Sequence, residues 1–226
     1  MTDQKTEIGV EIGSVVKTAE KRGNPNRKQY FYDSMAEDLV TLSHEEILEK
    51  WSRRFASLEA QRYEDPMTGL KVKEAGVKLL QKDIETAKEK TGNLSLLMID
   101  LDGFKKANDT MGHAAGDKAI MLLADYLYAK TSRETIACRY GGDEFFLIMP
   151  GSPPDAAIGL SERAIEEISE LMRNNGFDIT ISIGISYLRD DTTDADGMMK
   201  EADDALYGAK EKGKNRFEVY LPDELK

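Results

Sequence analysis

The segment Leu94-Ser95-Leu96-Leu97-Met98-Ile99-Asp100-Leu101 restricts folding more than any other part of this chain. A run this apolar does not fit a sheet with one wet face. It reads as a strand covered on both sides, so helices or a second layer must pack above and below it. It is far too short to cross a bilayer. The run ends in acids, Asp100 and Asp102, with Asp109 beyond them. Alternate strand residues share a face, so Asp100 and Asp102 are expected to point the same way. Two like charges held together favour a cation between them, and hard carboxylate oxygens suit Mg²⁺. A solvated strand rim explains the same pattern, and taken alone such a pair is more often that.

The rest of the chain supplies the covering layers. Residues 1–30 carry little periodicity and read as a tail or docking segment, followed by a short helix over 31–40. A clearer helix begins at Ser43, with Glu46 at capping-box spacing. Its stripe, Ile47, Trp51, Phe55 and Leu58, either packs on the chain's own body or pairs with a second copy. After the turn Asp65-Pro66-Met67-Thr68-Gly69-Leu70, a helix carries Val77, Leu80, Ile84 and Ala87 and closes at Gly92. A helix over 116–130 turns Ile120, Leu123 and Leu127 inward. Residues 136–140 and 143–149 read as a hairpin around Gly141-Gly142. Asp155 is placed to cap a helix with Ile158, Ile165, Ile168 and Met172. A strand over 177–188, a helix over 197–212 and a strand over 217–220 complete the order. Interleaved helices and strands around one hairpin predict an α+β fold, a mixed sheet covered by helices with a ferredoxin-like βαββαβ core, preceded by an N-terminal helical segment.

Bulk properties exclude some functions. The chain has 226 residues, enough for one good-sized core and a small appendage, and is 40% hydrophobic and 32% charged. A formal net charge of −11 argues against a nucleic-acid partner, because no broad basic field displaces phosphate counterions. A nucleotide substrate remains compatible, since a triphosphate needs only a few placed cations and a metal. One cysteine, Cys138, precludes an internal disulfide and fits a reducing compartment. The first residues lack the layout of a secretory signal. The expectation is a cytoplasmic protein without membrane attachment.

The hairpin sharpens the chemistry. Arg139-Tyr140-Gly141-Gly142-Asp143-Glu144-Phe145 sets two carboxylates just after a turn without side chains, where a ligand or another backbone can approach closely. If this hairpin lies beside the 94–101 strand, Asp143 and Asp100 can share a metal. Gly141-Gly142-Asp143-Glu144-Phe145 resembles the signature of the GGDEF family of diguanylate cyclases. The resemblance extends to Asp65-Pro66-Met67-Thr68-Gly69-Leu70, with Met67 where leucine is usual. It includes Asp100-x-Asp102-x-Phe104-Lys105-x-x-Asn108-Asp109, Gly112-His113 and Gly116-Asp117. Ser182-Ile183-Gly184 and Ala202-Asp203-x-Ala205-Leu206-Tyr207-x-Ala209-Lys210 complete it, so that it runs collinearly from about Asp65 to Asn215.

The resemblance implies a nucleotidyl-cyclase, polymerase-palm-like domain over 63–226, after a tail and dimerisation helix over 1–62. It implies an enzyme that condenses two GTP into cyclic di-GMP and pyrophosphate. Asp100 and Asp143, with the carbonyl of Leu101, would hold Mg²⁺ or Mn²⁺, two ions per site. Glu144 or Asp143 would serve as base. Asn108 and Asp117 match guanine-reading positions: a carboxylate offers two acceptors to guanine's adjacent N–H donors, whereas adenine's N1 would face that charge unpaired. A turn-stabilising amide and a helix cap are the alternatives for these two residues. His113 either touches the nucleotide or makes a structural hydrogen bond. Lys105, the amides of Gly103 and Phe104, and the pair Lys210 and Lys214 match phosphate contacts. Helical spacing puts the last two one turn apart.

Two positions depart from the family pattern. Lys214 stands where arginine is usual, which keeps the charge but loses the two-pronged grip, so weaker GTP binding is expected. The Arg-x-x-Asp pair of the family's product-inhibition site falls on Ser132 and Thr135, and Arg133 lacks an aspartate three residues on. No product-inhibition site is expected. Because one domain would bind one GTP, a homodimer is implied for catalysis. Residues 1–42, too few for most sensor domains, would dock on a regulatory partner or on the catalytic domain. The competing readings are a non-catalytic GTP-responsive or partner-binding module, and an enzyme making a different cyclic dinucleotide, against which Asp117 argues.

Overall fold

The computed structural model describes residues 38, 41–43, 45–47, 49–53, 63–90, 92–130 and 135–222. The chain divides into two units, Met1–Leu58 and Glu59–Lys226.

In the first unit the capping box forms as its spacing predicts. The Ser43 amide donates to Glu46 Oε2 at 2.9 Å, and the Glu46 amide donates back to Ser43 Oγ at 3.4 Å. Residues 45–47 and 49–53 are helical, with Trp51 buried and Ile47 half-buried. Phe55 and Leu58, the other half of the expected stripe, lie outside the described residues. So do residues 1–30 and most of the expected helix over 31–40.

The second unit is built on a six-stranded mixed sheet in the order β1-β3-β4-β2-β5-β6. Its elements are β1 (Lys71–Val72), α1 (Lys73–Lys90), β2 (Leu94–Asp102), α2 (Phe104–Met111), α3 (His113–Lys130), β3 (Ile136–Arg139), β4 (Glu144–Pro150), α4 (Pro154–Asn174), β5 (Thr180–Tyr187), α5 (Ala195–Glu211) and β6 (Phe217–Val219). Removing the edge strands leaves β2-α3-β3-β4-α4-β5, the expected βαββαβ core. β2 lies at its centre, antiparallel to β4 on one side and β5 on the other.

All nine residues of β2 are buried, and the layers explain why. Leu94, Leu96 and Met98 face a cluster with Leu80 and Ile84 of α1 and Met198, Ala202 and Leu206 of α5. Leu97, Ile99 and Leu101 face the opposite cluster, with Leu123 and Leu127 of α3 and Ile168 and Met172 of α4. A strand wet on one face would alternate; this one has no wet face.

Several local expectations are corrected. The short α2 does not appear in the sequence reading, and α3 starts at His113, not Gly116. The stretch between is short, and although Phe104, Ala107 and Met111 recur at helical spacing, none of the residues of α2 is fully buried. The two-residue β1, parallel to β3, is likewise too short to carry periodicity. Asp155 sits in the first turn of α4 while Pro153 occupies the N-cap, and no side chain caps that helix. Gly141 and Gly142 do not adopt the positive φ of a primed hairpin turn. Among the described residues, no helix is long and apolar enough to cross a membrane.

Candidate active site at the end of the central strand

The register of β2 brings the acids together. Asp100 lies directly opposite Glu144, and the Leu101 amide donates to the Asp143 carbonyl at 3.3 Å. Residues more than forty positions apart in sequence thus share one strand end. Asp100 is buried, and its carboxyl is pushed up to about 6. Burial is the main cause, and the charges of Asp143 and Glu144 add to it. One cation opposes this: Lys210 Nζ from α5 lies 2.8 Å from Asp100 Oδ2. Among the described residues, no three His, Cys, Asp or Glu side chains form a ready-made cation cage. The expected set does not need one, consisting of two carboxylates and the Leu101 carbonyl, and Mg²⁺ keeps waters and phosphate oxygens for the remainder. A buried carboxylate with raised proton affinity, already neutralised by an ammonium, fits the seat of a cation.

Asp102 shares the face of Asp100, as alternation requires, but has a different role. Its carboxylate accepts hydrogen bonds from Thr180 Oγ1 and Ser182 Oγ, both at 2.8 Å, and from the Asn215 amide at 3.0 Å. The two acids of the strand end therefore do not form one metal pair.

Arg139 is a site residue that sequence reasoning quoted without a role. Its guanidinium donates to the carbonyls of Gly141 (3.1 Å) and Gly142 (2.8 Å), and to Asp65 Oδ1 at 2.9 Å. The same Asp65 oxygen accepts from the Thr68 amide and hydroxyl, at 2.9 and 2.8 Å. Burial would raise the Asp65 carboxyl, but the Thr68 and Arg139 contacts outweigh it and hold it below the usual carboxylate range. Met67 Sδ also accepts from Arg139 at 3.3 Å, so the methionine that replaces the usual leucine adds to the clamp. The opening turn at 65–70 and the signature turn are thereby tied to one side chain. The visible signal was an arginine just ahead of a glycine turn, whose bare carbonyls invite a planar multi-donor group. A Cβ at Gly141 would lie 3.1 Å from Glu144 Oε2, a tight contact that the flexible end of Glu144 would have to relieve.

The expected guanine and phosphate residues gather at α2 and α3. Gly103, with φ +79, turns the chain from β2 into α2, and Gly112, with φ +87, turns it again into α3. The two turns fold Asn108 against Gly116, where a Cβ would meet Asn108 Oδ1 at 2.6 Å. Asn108 Oδ1 is buried without a hydrogen-bond partner, a state that costs about 1–3 kcal/mol until a donor arrives. His113 is exposed at the start of α3 and Asp117 just past its first turn, and Lys105 is exposed on α2 beside half-buried Phe104.

The spacing expected for the last two lysines is corrected. α5 ends at Glu211, so Lys214 is not on the helix. The chain leaves through Gly213 (φ +111), with the Lys214 amide bonded to the Ala209 carbonyl at 3.0 Å and Gly213 to Lys210 at 3.4 Å. Lys214 (φ +64) and Asn215 (φ +48) continue in the left-handed region, which costs an L-residue roughly 1–2 kcal/mol.

Residues 62–216 match the family model described as diguanylate cyclase, GGDEF domain. The chain belongs to the GGDEF domain family. It is 39% identical over 158 residues to diguanylate cyclase A of Treponema denticola, covering 67% of this chain and 43% of that protein. It is 35% identical over 164 residues to the probable diguanylate cyclase DgcC of Escherichia coli, covering 72% and 44%. The chain thus spans less than half the length of these curated relatives. Among solved structures, the GGDEF domain of DgcB from Caulobacter crescentus in complex with c-di-GMP aligns with a TM-score of 0.64 at 32% identity, over 70% of this chain and 95% of that one. The coiled coil and GGDEF domain of the same protein aligns with a TM-score of 0.70 at 28% identity, over 85% and 98%.

Proposed function

We propose that this GGDEF protein is an active diguanylate cyclase that condenses two GTP molecules into cyclic di-GMP. The observation that carries the reading is the convergence of Asp100, Asp143 and Glu144 on one strand end, in a chain whose signature acids are all present.

In this reading Asp100, Asp143 and the Leu101 carbonyl hold divalent metal. Mg²⁺ or Mn²⁺, two ions per site, would be the group held there, and when bound would supply charge neutralisation of the triphosphate and activation of the ribose 3′-hydroxyl. Lys210, Lys105, Lys214 and the amides of Gly103 and Phe104 bind the triphosphate. Asn108 and Asp117 read guanine, with the unpartnered Asn108 Oδ1 accepting from it; His113 either touches the nucleotide or makes a structural hydrogen bond. The 3′-oxygen of one nucleotide attacks the α-phosphorus of the other. The bond to the β-phosphate oxygen breaks and pyrophosphate leaves. The hydroxyl proton passes to Glu144 or Asp143. A second, identical step closes the ring.

Each domain binds one nucleotide, so two copies must face each other. The alignment with a coiled coil and GGDEF pair supports the helix after Ser43 as the pairing element, with residues 1–62 also available to a regulatory partner. Incubation with GTP, ATP and Mg²⁺, followed by mass identification of products, tests the reading. Cyclic di-GMP alone is expected, and its rate should fall by at least about 100-fold in Asp143→Ala and Glu144→Ala. No product, or product that survives both substitutions, rejects it.

The reading includes the loss of product inhibition. Ser132 and Arg133 lie outside the described residues, and Thr135 pairs no carboxylate with them. Added cyclic di-GMP is expected to leave the initial rate unchanged at concentrations well above the enzyme's. Tight binding with matching inhibition would count against this part alone.

A further inference from the structure

We infer that Asp102 is a positioning residue for the triphosphate subsite, acting by fixing the turn that carries Lys214. The inference rests on the cyclase reading above.

Asp102 is only 6% exposed, at the end of a strand whose neighbouring acid serves the cation seat. All the hydrogen bonds described for it run away from that seat. Thr180 and Ser182 of β5 donate to its carboxylate, and so does the Asn215 amide from the turn just before β6. The Asn215 bond is the unusual one. Gly213, Lys214 and Asn215 form three consecutive residues with positive φ, and two of them are not glycine. Such a backbone persists only where its surroundings fix it. Two ties do so. One is the charge-assisted bond from the Asn215 amide to Asp102; the other is the Ser169 hydroxyl donating to Asn215 Oδ1 at 3.0 Å. Neither touches the exposed Lys214 side chain, which is left to face solvent or ligand.

The same strand face therefore orders two cations in sequence. Asp100 pairs with Lys210 directly, and two residues on, Asp102 holds the turn that aims Lys214. A lysine on a free turn would be a diffuse charge. Here it stands on a backbone held to the central strand, and that offsets part of what arginine's rigid fork would otherwise supply.

The test uses Asp102→Asn in the full chain, which keeps size while removing the charge. Binding is measured for two probes with Mg²⁺: the α,β-methylene analogue of GTP, which cannot react, and GMP, which lacks the β- and γ-phosphates. The analogue should bind about tenfold more weakly, with GMP unchanged within about twofold. In a Lys214→Ala background the same substitution should add almost nothing. Equal weakening of both probes would mark a merely structural residue, and additivity with Lys214→Ala would break the link to that lysine; either outcome overturns the inference. If Asp102→Asn does not fold, Asn215→Ala loosens the same turn from the surface and is held to the same pattern. A wild type that binds the analogue while the variant matches it defeats this inference alone. A wild type that neither binds the analogue nor makes product defeats the cyclase reading together with it.

Discussion

Asp100 lies buried in the strand that carries it, and this has a measurable consequence. Its carboxyl is pushed up to about 6, above the value of an unfolded aspartate. Well below both values the proton is bound in either state and the residue costs nothing. As pH rises between them, the unfolded chain releases the proton while the folded one retains it, so stability falls. Above about 6 the whole cost is present, with Lys210 offsetting part of it. Asp100→Asn removes the titration. Its stability relative to wild type should rise by about 2 kcal/mol from pH 4 to pH 7, somewhat less than a full conversion of the shift because the strand end is partly wetted. Urea unfolding across that range reads the difference directly. A gap that stays constant with pH would mean that Asp100 is not strained by its place. Activity is expected to be lost in the same variant at every pH, so the residue trades stability for function.

The close packing of elements behind this site depends on a missing side chain. Gly184, in the middle of β5, shows it best: a Cβ there would lie 2.0 Å from the Ala202 carbonyl oxygen and 2.3 Å from the Leu206 nitrogen. Both are backbone atoms of α5, the helix that delivers Lys210, and backbone cannot rotate aside. Gly184→Ala should therefore cost about 3 kcal/mol or more in chemical denaturation. It should also weaken the triphosphate grip by displacing α5. A cost below about 1 kcal/mol would show that the helix has slack. The sequence announced Gly184 as part of a motif, though not the contact that requires it. The same division runs through the fold. β2, α1 and the β3–β4 hairpin were legible because burial on a face imposes a period or a continuous apolar run. α2 was not, because it is short, has no fully buried residue and is bounded by the turns at Gly103 and Gly112. Lys214 was placed one helical turn beyond Lys210 because it lies four positions on; the glycine between them ends the helix first. The pairing of Asp100 with the hairpin acids was inferred from strand order, whereas the separate task of Asp102 depended on partners more than seventy positions away.

At the scale of the whole molecule, the number of copies matters. One strand end, one Asn108 pocket and one set of cations accommodate one nucleotide, while the proposed product contains two. On the proposed reading a single copy would be inactive however well it bound GTP, and the rate per molecule would depend on how often copies meet. In dilute solution specific activity should rise in proportion to enzyme concentration and level off once the dimer saturates. The segment before the catalytic unit decides where that happens. A helix that pairs with its twin holds two domains at high effective concentration, an advantage of about 10²–10⁴ over free encounter. Removing residues 1–58, at the boundary between the two units, should shift the plateau to higher enzyme concentration by a factor in that range. The height of the plateau should remain, because no catalytic residue is lost. A GGDEF domain solved by itself aligns with 70% of this chain, so the shortened protein is expected to fold. Activity measurements over several decades of concentration, with sedimentation on the same samples, separate the cases. Specific activity independent of concentration in the shortened form would show that one copy suffices, and would remove the reason for assigning the leading helix a part in catalysis.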